Sequence, residues 1–305
     1  MTALSIPWFL LVLLLTFIFL LFKKKWITSV IILGIIVVLN YWAECIPFRL
    51  HSICDKCDNC LKLMTFNING ASDDINKRVV GIVDLIKCID PDVVFLAEYG
   101  ENSNHLLDSM LTNFYPYTTL TKYGAQYFFS KYPLESQRQL LGLKGEDTGT
   151  YITKVNIGDN SLCLFGCHFA SNNYTNDKRY MTPDSIKGRN DIIVYLRNIQ
   201  RAYERRSYEA DILAEEMKRI KEPIIIMGDF NDVCGSDCIK KIEALGFSDS
   251  WWEKGVGYGA TIHRPLPYRI DHILHKQDIK LNNIQVIDTK GLSDHSAVYA
   301  EFKYK

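Results

Sequence analysis

Charge is nearly absent from the first 43 residues. Residues 3–22 and 26–43 carry no Lys, Arg, Asp or Glu, and Lys23, Lys24 and Lys25 stand alone between them. Each uncharged run is close to the ~20 apolar residues that cross a bilayer as a helix. Two further absences argue against a cleaved leader. The first run has no basic stretch ahead of it and no small-residue cleavage site behind it, and Tyr41, Trp42 and Glu44 before Cys45 are too bulky and acidic for lipoprotein processing. The expectation is therefore two uncleaved transmembrane helices, at about 3–22 and 26–43. Short basic loops stay cytoplasmic, so both chain ends and everything after Trp42 are expected on the extracytoplasmic face.

Net charge is absent too. The 35 Lys and Arg balance 35 Asp and Glu. Five of the basic and three of the acidic residues precede Leu61, so the remainder is acidic by two, without the basic excess of a protein that tracks nucleic-acid backbones. Neither G-x-S-x-G nor G-x-x-x-x-G-K-[ST] occurs, which excludes the nucleophile-elbow hydrolases and the P-loop NTPases. The nine cysteines are an odd number. The C-x-x-C-x-x-C run at Cys54, Cys57 and Cys60 lacks a fourth nearby ligand for a zinc or iron–sulfur centre. Outside the cytoplasm disulfides are favoured, with Cys54–Cys60 and Cys234–Cys238 as candidate pairs.

What is present divides the chain into three parts: a membrane anchor over 1–45, a Cys-rich juxtamembrane linker over 46–60, and one α/β domain over 61–305. From Leu61 onward, strand patterns occupy 61–67, 92–97, 125–130, 150–155, 162–167, 224–227, 269–274 and 297–302, read from alternating or continuous apolar runs. Helical spacing occupies 74–89, stopped by Pro91, and a long stretch over 189–221. The charges of 201–222 read as a solvated helix face. Several strands follow one another with no helix between them, which favours mixed or antiparallel sheets with helices outside.

The informative feature is where polar residues fall. Asn67, Glu98, His168, the pair Asp229 and Asn231, Asp271, and the pair Asp294 and His295 each stand at or beside the end of an apolar strand. Any one of them could be a turn residue or a helix cap. Together they are complementary: hard carboxylate and amide oxygens suit Mg²⁺ or Mn²⁺, and two imidazoles move protons near neutral pH. That set suits hydrolysis of a phosphate ester by an activated water, with a metal polarising the phosphoryl oxygens. His272 alternates away from Asp271 and is expected on the opposite side of its strand.

Seven segments in order carry a family likeness: T-F-N-I-N-G at 65–70, V-F-L-A-E at 94–98, F-F-S-K-Y-P-L at 128–134, C-H-F at 167–169, G-D-F-N-D at 228–232, R-I-D-H-I-L at 269–274 and S-D-H at 293–295. From Leu61 to the C-terminus the chain resembles the endonuclease/exonuclease/phosphatase superfamily. The resemblance implies a four-layer α/β sandwich, two mixed β-sheets face to face with helices outside, and Mg²⁺- or Mn²⁺-dependent hydrolysis. It implies Glu98 as the principal metal ligand with Asn67 beside it, and Asp229, Asn231 and Asp294 within reach of metal. It assigns Asp229 and Asn231 to the water and the phosphate, and Asp271 to protonation or a metal. His295 matches the general base, held by Asp294, and His168 the second histidine of the deoxyribonuclease, sphingomyelinase and inositol-phosphatase branches. Asn172 and Asn173 fall where substrate-contacting loops occur, or in a solvated loop; His263 lines the pocket or sits in a surface turn. The expected partners are the lipid bilayer and a phosphate ester, whether lipid, small phosphodiester or nucleic acid, with no stable nucleic-acid complex. A membrane-anchored nuclease and a non-catalytic binding module are the rival readings.

Overall fold

Alternation of side chains along the apolar strands decides the layering. The computed structural model describes residues 5–44, 46, 57, 59–70, 75–99, 105–119, 126–135, 137–141, 148–172, 188–263, 267–276 and 278–303. In chain order these form helices α1 (Ile6–Phe22) and α2 (Trp26–Ala43), then strand β1 (Cys60–Asn67), α3 (Ile75–Ile89), β2 (Val93–Ala97) and α4 (His105–Thr112). Strands β3 (Tyr117–Thr118), β4 (Tyr127–Ser130), β5 (Arg138–Leu141), β6 (Gly149–Ile157) and β7 (Asn160–His168) follow. The chain continues through α5 (Arg189–Met217), β8 (Ile224–Asp229), α6 (Asp237–Glu243), β9 (Phe247–Asp249) and α7 (Ser250–Lys254) to β10 (Asp271–Lys276), β11 (Lys280–Ile287) and β12 (Ala297–Lys303).

The strands make two six-stranded sheets, ordered β11-β12-β1-β2-β4-β3 and β5-β6-β7-β8-β10-β9. In β1, Leu61 and Leu63 enter the core between the sheets while Met64 and Phe66 face outward; β2 divides Val93, Phe95 and Ala97 from Val94 and Leu96 in the same way. In β8, Ile225 and Met227 point between the sheets, and Ile224 and Ile226 point out. The outward sets are covered by α3 and α4 through Val79, Val83 and Leu111 on one sheet, and by α5 and α6 through Leu213 and Ile242 on the other. Buried apolar side chains each stabilise by roughly 1.5–3 kcal/mol, so two strand faces with three core clusters specify this stacking strongly. The expected two mixed sheets with helices outside are found.

Each sheet has a parallel pair at its centre, β1 with β2 and β7 with β8, flanked by antiparallel neighbours. Parallel strands end, and antiparallel neighbours begin, at one rim. Two glycines shape that rim. Gly166 faces inward beneath His168, and a Cβ there would lie 2.2 Å from the Phe95 ring of the other sheet. Gly228 has φ +144° and a Cβ would meet the Cys167 carbonyl oxygen at 1.9 Å, so no other residue fits where β7 and β8 finish.

Element limits shift in places. The strand expected from 125 begins at Tyr127, and the long helix ends at Met217 because the turns over 218–220 tighten into i→i+3 bonds ahead of Pro223. Cys57 is bonded to Cys60, replacing the expected Cys54–Cys60 pair; Cys54 lies outside the described residues. Cys234 and Cys238 are not joined, since Cys238 Sγ instead meets Ser236 Oγ at 3.3 Å and donates to Asp232 Oδ2 at 3.7 Å.

The helices α1 and α2 pack as a hairpin. Among the described residues α2, at 18 residues, is the one helix long and apolar enough to cross a membrane; α1 is apolar over 17. A helix in a soluble core would be mostly hidden, yet Ile27 is 81% and Val38 67% exposed. The hairpin meets the domain at the end away from the lysine turn. Trp8 Nε1 donates to Tyr268 Oη at 3.0 Å, Tyr41 packs edge-on against Trp252, and Leu10 and Ala43 bury Cys234.

Candidate active site

The strand registers set the site row by row. Asn67 pairs with Ala97 across β1 and β2, which places Glu98 one residue beyond. His168, Asp229 and Asp271 are direct cross-strand partners on β7, β8 and β10. Alternation turns Asn67, His168, Asp229 and Asp271 into the space between the sheets, as continuations of the rows that bury Leu63, Leu164, Met227 and Ile273. Glu98 joins them through a backbone at φ +51°, a conformation costly for a side-chain-bearing residue and frequent at functional positions.

The side chains converge. Asn67 Nδ2 donates to Glu98 Oε1 at 2.9 Å and to Asp229 Oδ2 at 3.0 Å, linking the two sheets through one amide. His168 Nε2 lies 3.3 Å from Glu98 Oε1 and 3.8 Å from Asp229 Oδ2. His295 Nε2 approaches the same Asp229 oxygen at 3.8 Å, and its Nδ1 meets Asp271 Oδ2 at 2.9 Å. Asp229 thus stands between two imidazoles. Its Oδ1 accepts the Asn231 backbone N–H at 2.7 Å, and Asn231 Nδ2 is tied to the Phe169 carbonyl at 3.0 Å.

Two expectations change here. Asp271, not Asp294, holds His295. Asp294 is exposed at the mouth and accepts from Asn69 Nδ2 at 3.2 Å and Ser293 Oγ at 3.3 Å. Asp294 lies in the bend ahead of His295, and its bonds to Asn69 and Ser293 keep it at the exposed mouth. Asn67 serves as a bridge between carboxylates, because its Oδ1 accepts the Asn69 backbone N–H at 3.1 Å while its amide N–H groups face Glu98 and Asp229.

The electrostatics follow from this crowding. Burial raises the Glu98 carboxyl, but His168 and the Asn67 amide outweigh it and hold it at about 2. Asp229 is raised by burial and by repulsion from Asp271. Burial lowers the His295 imidazole, yet Asp271 and Asp229 overcome this and push it up to about 10. Carboxylates packed this closely repel one another unless positive charge joins them. Glu98 Oε1, His168 Nε2 and Asp229 Oδ2 lie within 4.8 Å of one another, as do ligand atoms of Asp229, Asp271 and His295. Asp271 Oδ1 is buried with no hydrogen-bond partner among the described residues. This donor set, mostly hard oxygens with an unfilled acceptor, fits a divalent cation.

Residues beyond the strand ends fix the loops. Arg206, fully buried, donates from Nε to Asp232 Oδ2 at 2.9 Å and from Nη1 to the Ala170 carbonyl and Asn172 Oδ1 at 2.9 and 3.0 Å. Glu209 accepts the Ala170 N–H at 3.0 Å. Together they clamp the loop after His168 to the loop after Asp229. The 201–222 stretch is therefore not simply a solvated face. Arg206 falls on the stripe of Ile199, Tyr203, Ala210 and Leu213, and that in-stripe charge was the available signal. Asn172 is engaged by this clamp; Asn173 lies outside the described residues. His263 is exposed at the rim, with Nε2 3.3 Å from Ser296 Oγ. As expected, His272 faces away from Asp271. Its Nδ1 meets Asp249 Oδ2 at 3.0 Å beside buried Arg269, a second cluster the sequence reading did not include.

Residues 64–295 match the sequence model of the Endonuclease/Exonuclease/phosphatase family. No curated protein matches the chain by sequence. Among solved structures, the human Nocturnin catalytic domain with bound sulfate superposes with a TM-score of 0.60 at 15% identity, over 82% of this chain and 96% of that one. TDP2 from C. elegans gives 0.59 at 16% identity, over 80% of this chain and 75% of that one. D. rerio TDP2 complexed with a single-strand DNA product gives 0.58 at 14%, over 81% of this chain and 100% of that one. At such identities the likeness is one of fold.

Proposed function

The chain belongs to the endonuclease/exonuclease/phosphatase family, a family of phosphoric-ester hydrolases, and from that premise we propose that it is a membrane-anchored, Mg²⁺- or Mn²⁺-dependent phosphodiesterase. One observation carries the reading: Glu98, His168, Asp229, Asp271 and His295 arrive from the ends or flanks of five strands at a single rim and meet within hydrogen-bonding or ion-pairing range.

Glu98 and Asp229 would hold the cation, with His168 at their side. When bound, such a cation draws charge from the phosphoryl oxygens and neutralises the carboxylates around it. His295 is the proton-transfer residue. The Asp271 hydrogen bond fixes its Nδ1–H and directs Nε2 toward Asp229, where an attacking water would sit; the carboxylates alone keep this imidazole protonated, and once a bound cation offset their charge, Nε2 would shed its proton and take that of the water. Asp229 orients the water, Asn231 and its backbone N–H steady Asp229, and His168 meets the phosphate or the leaving oxygen. Asn67 acts by holding Glu98 and Asp229 together, and Asp294 acts at the mouth. Asn172 and His263 border the substrate path.

We take α1 with α2 as two spans, residues 1–45 as the anchor, 46–60 as the linker and 61–305 as the catalytic domain. The three-lysine turn at the hairpin's far end supports a cytoplasmic turn with the domain outside. The Cys57–Cys60 disulfide agrees with an oxidising compartment. A binding-only module would have no need to keep Glu98, Asp229 and His295 in contact.

The test is a substrate panel on the purified full chain in detergent with Mg²⁺: sphingomyelin, phosphatidylinositol phosphates, nucleotides, RNA, and single- and double-stranded DNA. Turnover of a lipid or small phosphodiester is expected. The D. rerio relative's DNA product makes DNA the competing substrate, and turnover confined to nucleic acid would replace this reading with the nuclease.

A further inference from the structure

Between the hairpin and the domain lies a cleft of about 350 Å³, walled by Trp8, Leu11, Leu14 and Ile36 on one side and by Tyr258 and Pro267 on the other. Its size falls in the ~300–1,000 Å³ range of ligand pockets. Two features say what fills it. First, Leu11 and Leu14 are also open on the hairpin's outer surface, 44% and 43% exposed, so the cleft is continuous with the face that a bilayer would cover. Second, the aromatic residues at this end, Trp8, Tyr41 and Trp42 of the hairpin with Trp252 and Tyr268 of the domain, form the kind of belt that sits at head-group level. A water-soluble ligand would meet no charge on these walls, while an acyl chain would meet the same surface it leaves in the membrane.

The far wall leads to the catalytic rim. Pro267 precedes Tyr268, whose backbone pairs with Ile262, and Ile262 pairs in turn with His295. Thr261 Oγ1 accepts the backbone N–H groups of Ile270 and Asp271 at 3.1 Å. Through these backbone bonds the segment that begins at Pro267 in the cleft wall is joined to the chain at His295 and Asp271.

We propose that the cleft takes an acyl chain of a membrane lipid whose phosphodiester reaches the adjacent rim, so that the substrate class is a lipid phosphodiester drawn from the bilayer. The inference rests on the membrane-anchored phosphoesterase reading above.

The experiment uses the full chain in phosphatidylcholine vesicles containing a small fraction of phosphatidylcholine with a diazirine in its acyl tail. After irradiation, label is expected on the 255–268 peptide as well as on the spans, and Leu14→Trp or Leu11→Trp, which fill the cleft, should remove the label from that peptide. In the same vesicles with Mg²⁺, the two variants should lower lipid phosphodiester turnover at least about tenfold, the order of one or two buried methylene groups. Their turnover of water-soluble bis-p-nitrophenyl phosphate should stay at the wild-type rate. Label confined to residues 6–43, or label on 255–268 that survives both variants, overturns the acyl site and leaves the phosphoesterase reading standing. Label that behaves as expected with no metal-dependent turnover of either ester overturns the substrate claim together with the reading beneath it.

Discussion

At the residue scale, the identity of the carboxylate behind His295 is the sharpest assignment. Asp271 is buried with Oδ2 2.9 Å from Nδ1, whereas Asp294 is exposed and bonded to Asn69. Asp271→Asn should therefore cost roughly the 10²–10⁴-fold in kcat associated with a misdirected proton-transfer residue. Asp294→Asn should cost less than about tenfold, since a surface charge near the site acts through screened field alone. Steady-state kinetics on the two variants checks this, and equal losses would return Asp294 to the role the sequence suggests. The residues of the site were legible because each ends an apolar run. Their pairing was not, because Asp294 in S-D-H and Asp271 in R-I-D-H-I-L have the same chemistry, and only the register of β10 against β8 brings Asp271 to the site. Nor could sequence show that Asn67 turns its N–H groups, rather than its oxygen, toward the carboxylates.

At the scale of elements, α5 is more than a cover for the second sheet. Its Arg206 sits at the junction of the loops that present His168 and Asp229, fully buried against Asp232. Arg206→Leu leaves that carboxylate without its counter-charge and should destabilise the domain by about 3–5 kcal/mol, the usual penalty for breaking a buried pair. Pairing it with Asp232→Leu should recover part of the loss. Thermal unfolding followed by tryptophan fluorescence measures both, and a single variant as stable as wild type would make the clamp dispensable. Long apolar strands such as β1, β2, β7 and β8 were readable because burial on both faces leaves continuous apolar runs. Strand β11 was not, since KLNNIQVI carries Asn282 and Asn283, buried around a bulge, where the Asn282 amide is satisfied by Glu301. The two-residue β3 and the three-residue β9 are too short to leave a period at all.

For the whole molecule, the proposed orientation, lysine turn inside and domain outside, rests on the hairpin's apolar surface and the charge of that turn. An alkaline phosphatase joined to the C-terminus should be active in a bacterial host, because that enzyme needs an oxidising compartment to form its disulfides. An inactive fusion with an active cytoplasmic reporter would reverse the topology. The domain itself has the family's fold, and its rim gathers carboxylates that electrostatics alone would push apart. That crowding is the reason to place a cation there. The most direct test is the initial rate of bis-p-nitrophenyl phosphate hydrolysis by the purified full chain, before and after EDTA and again after Mg²⁺ or Mn²⁺ is restored. The rate should fall to the uncatalysed background with EDTA and return with either metal. A rate unchanged by EDTA would contradict a metal-dependent site built on Glu98 and Asp229.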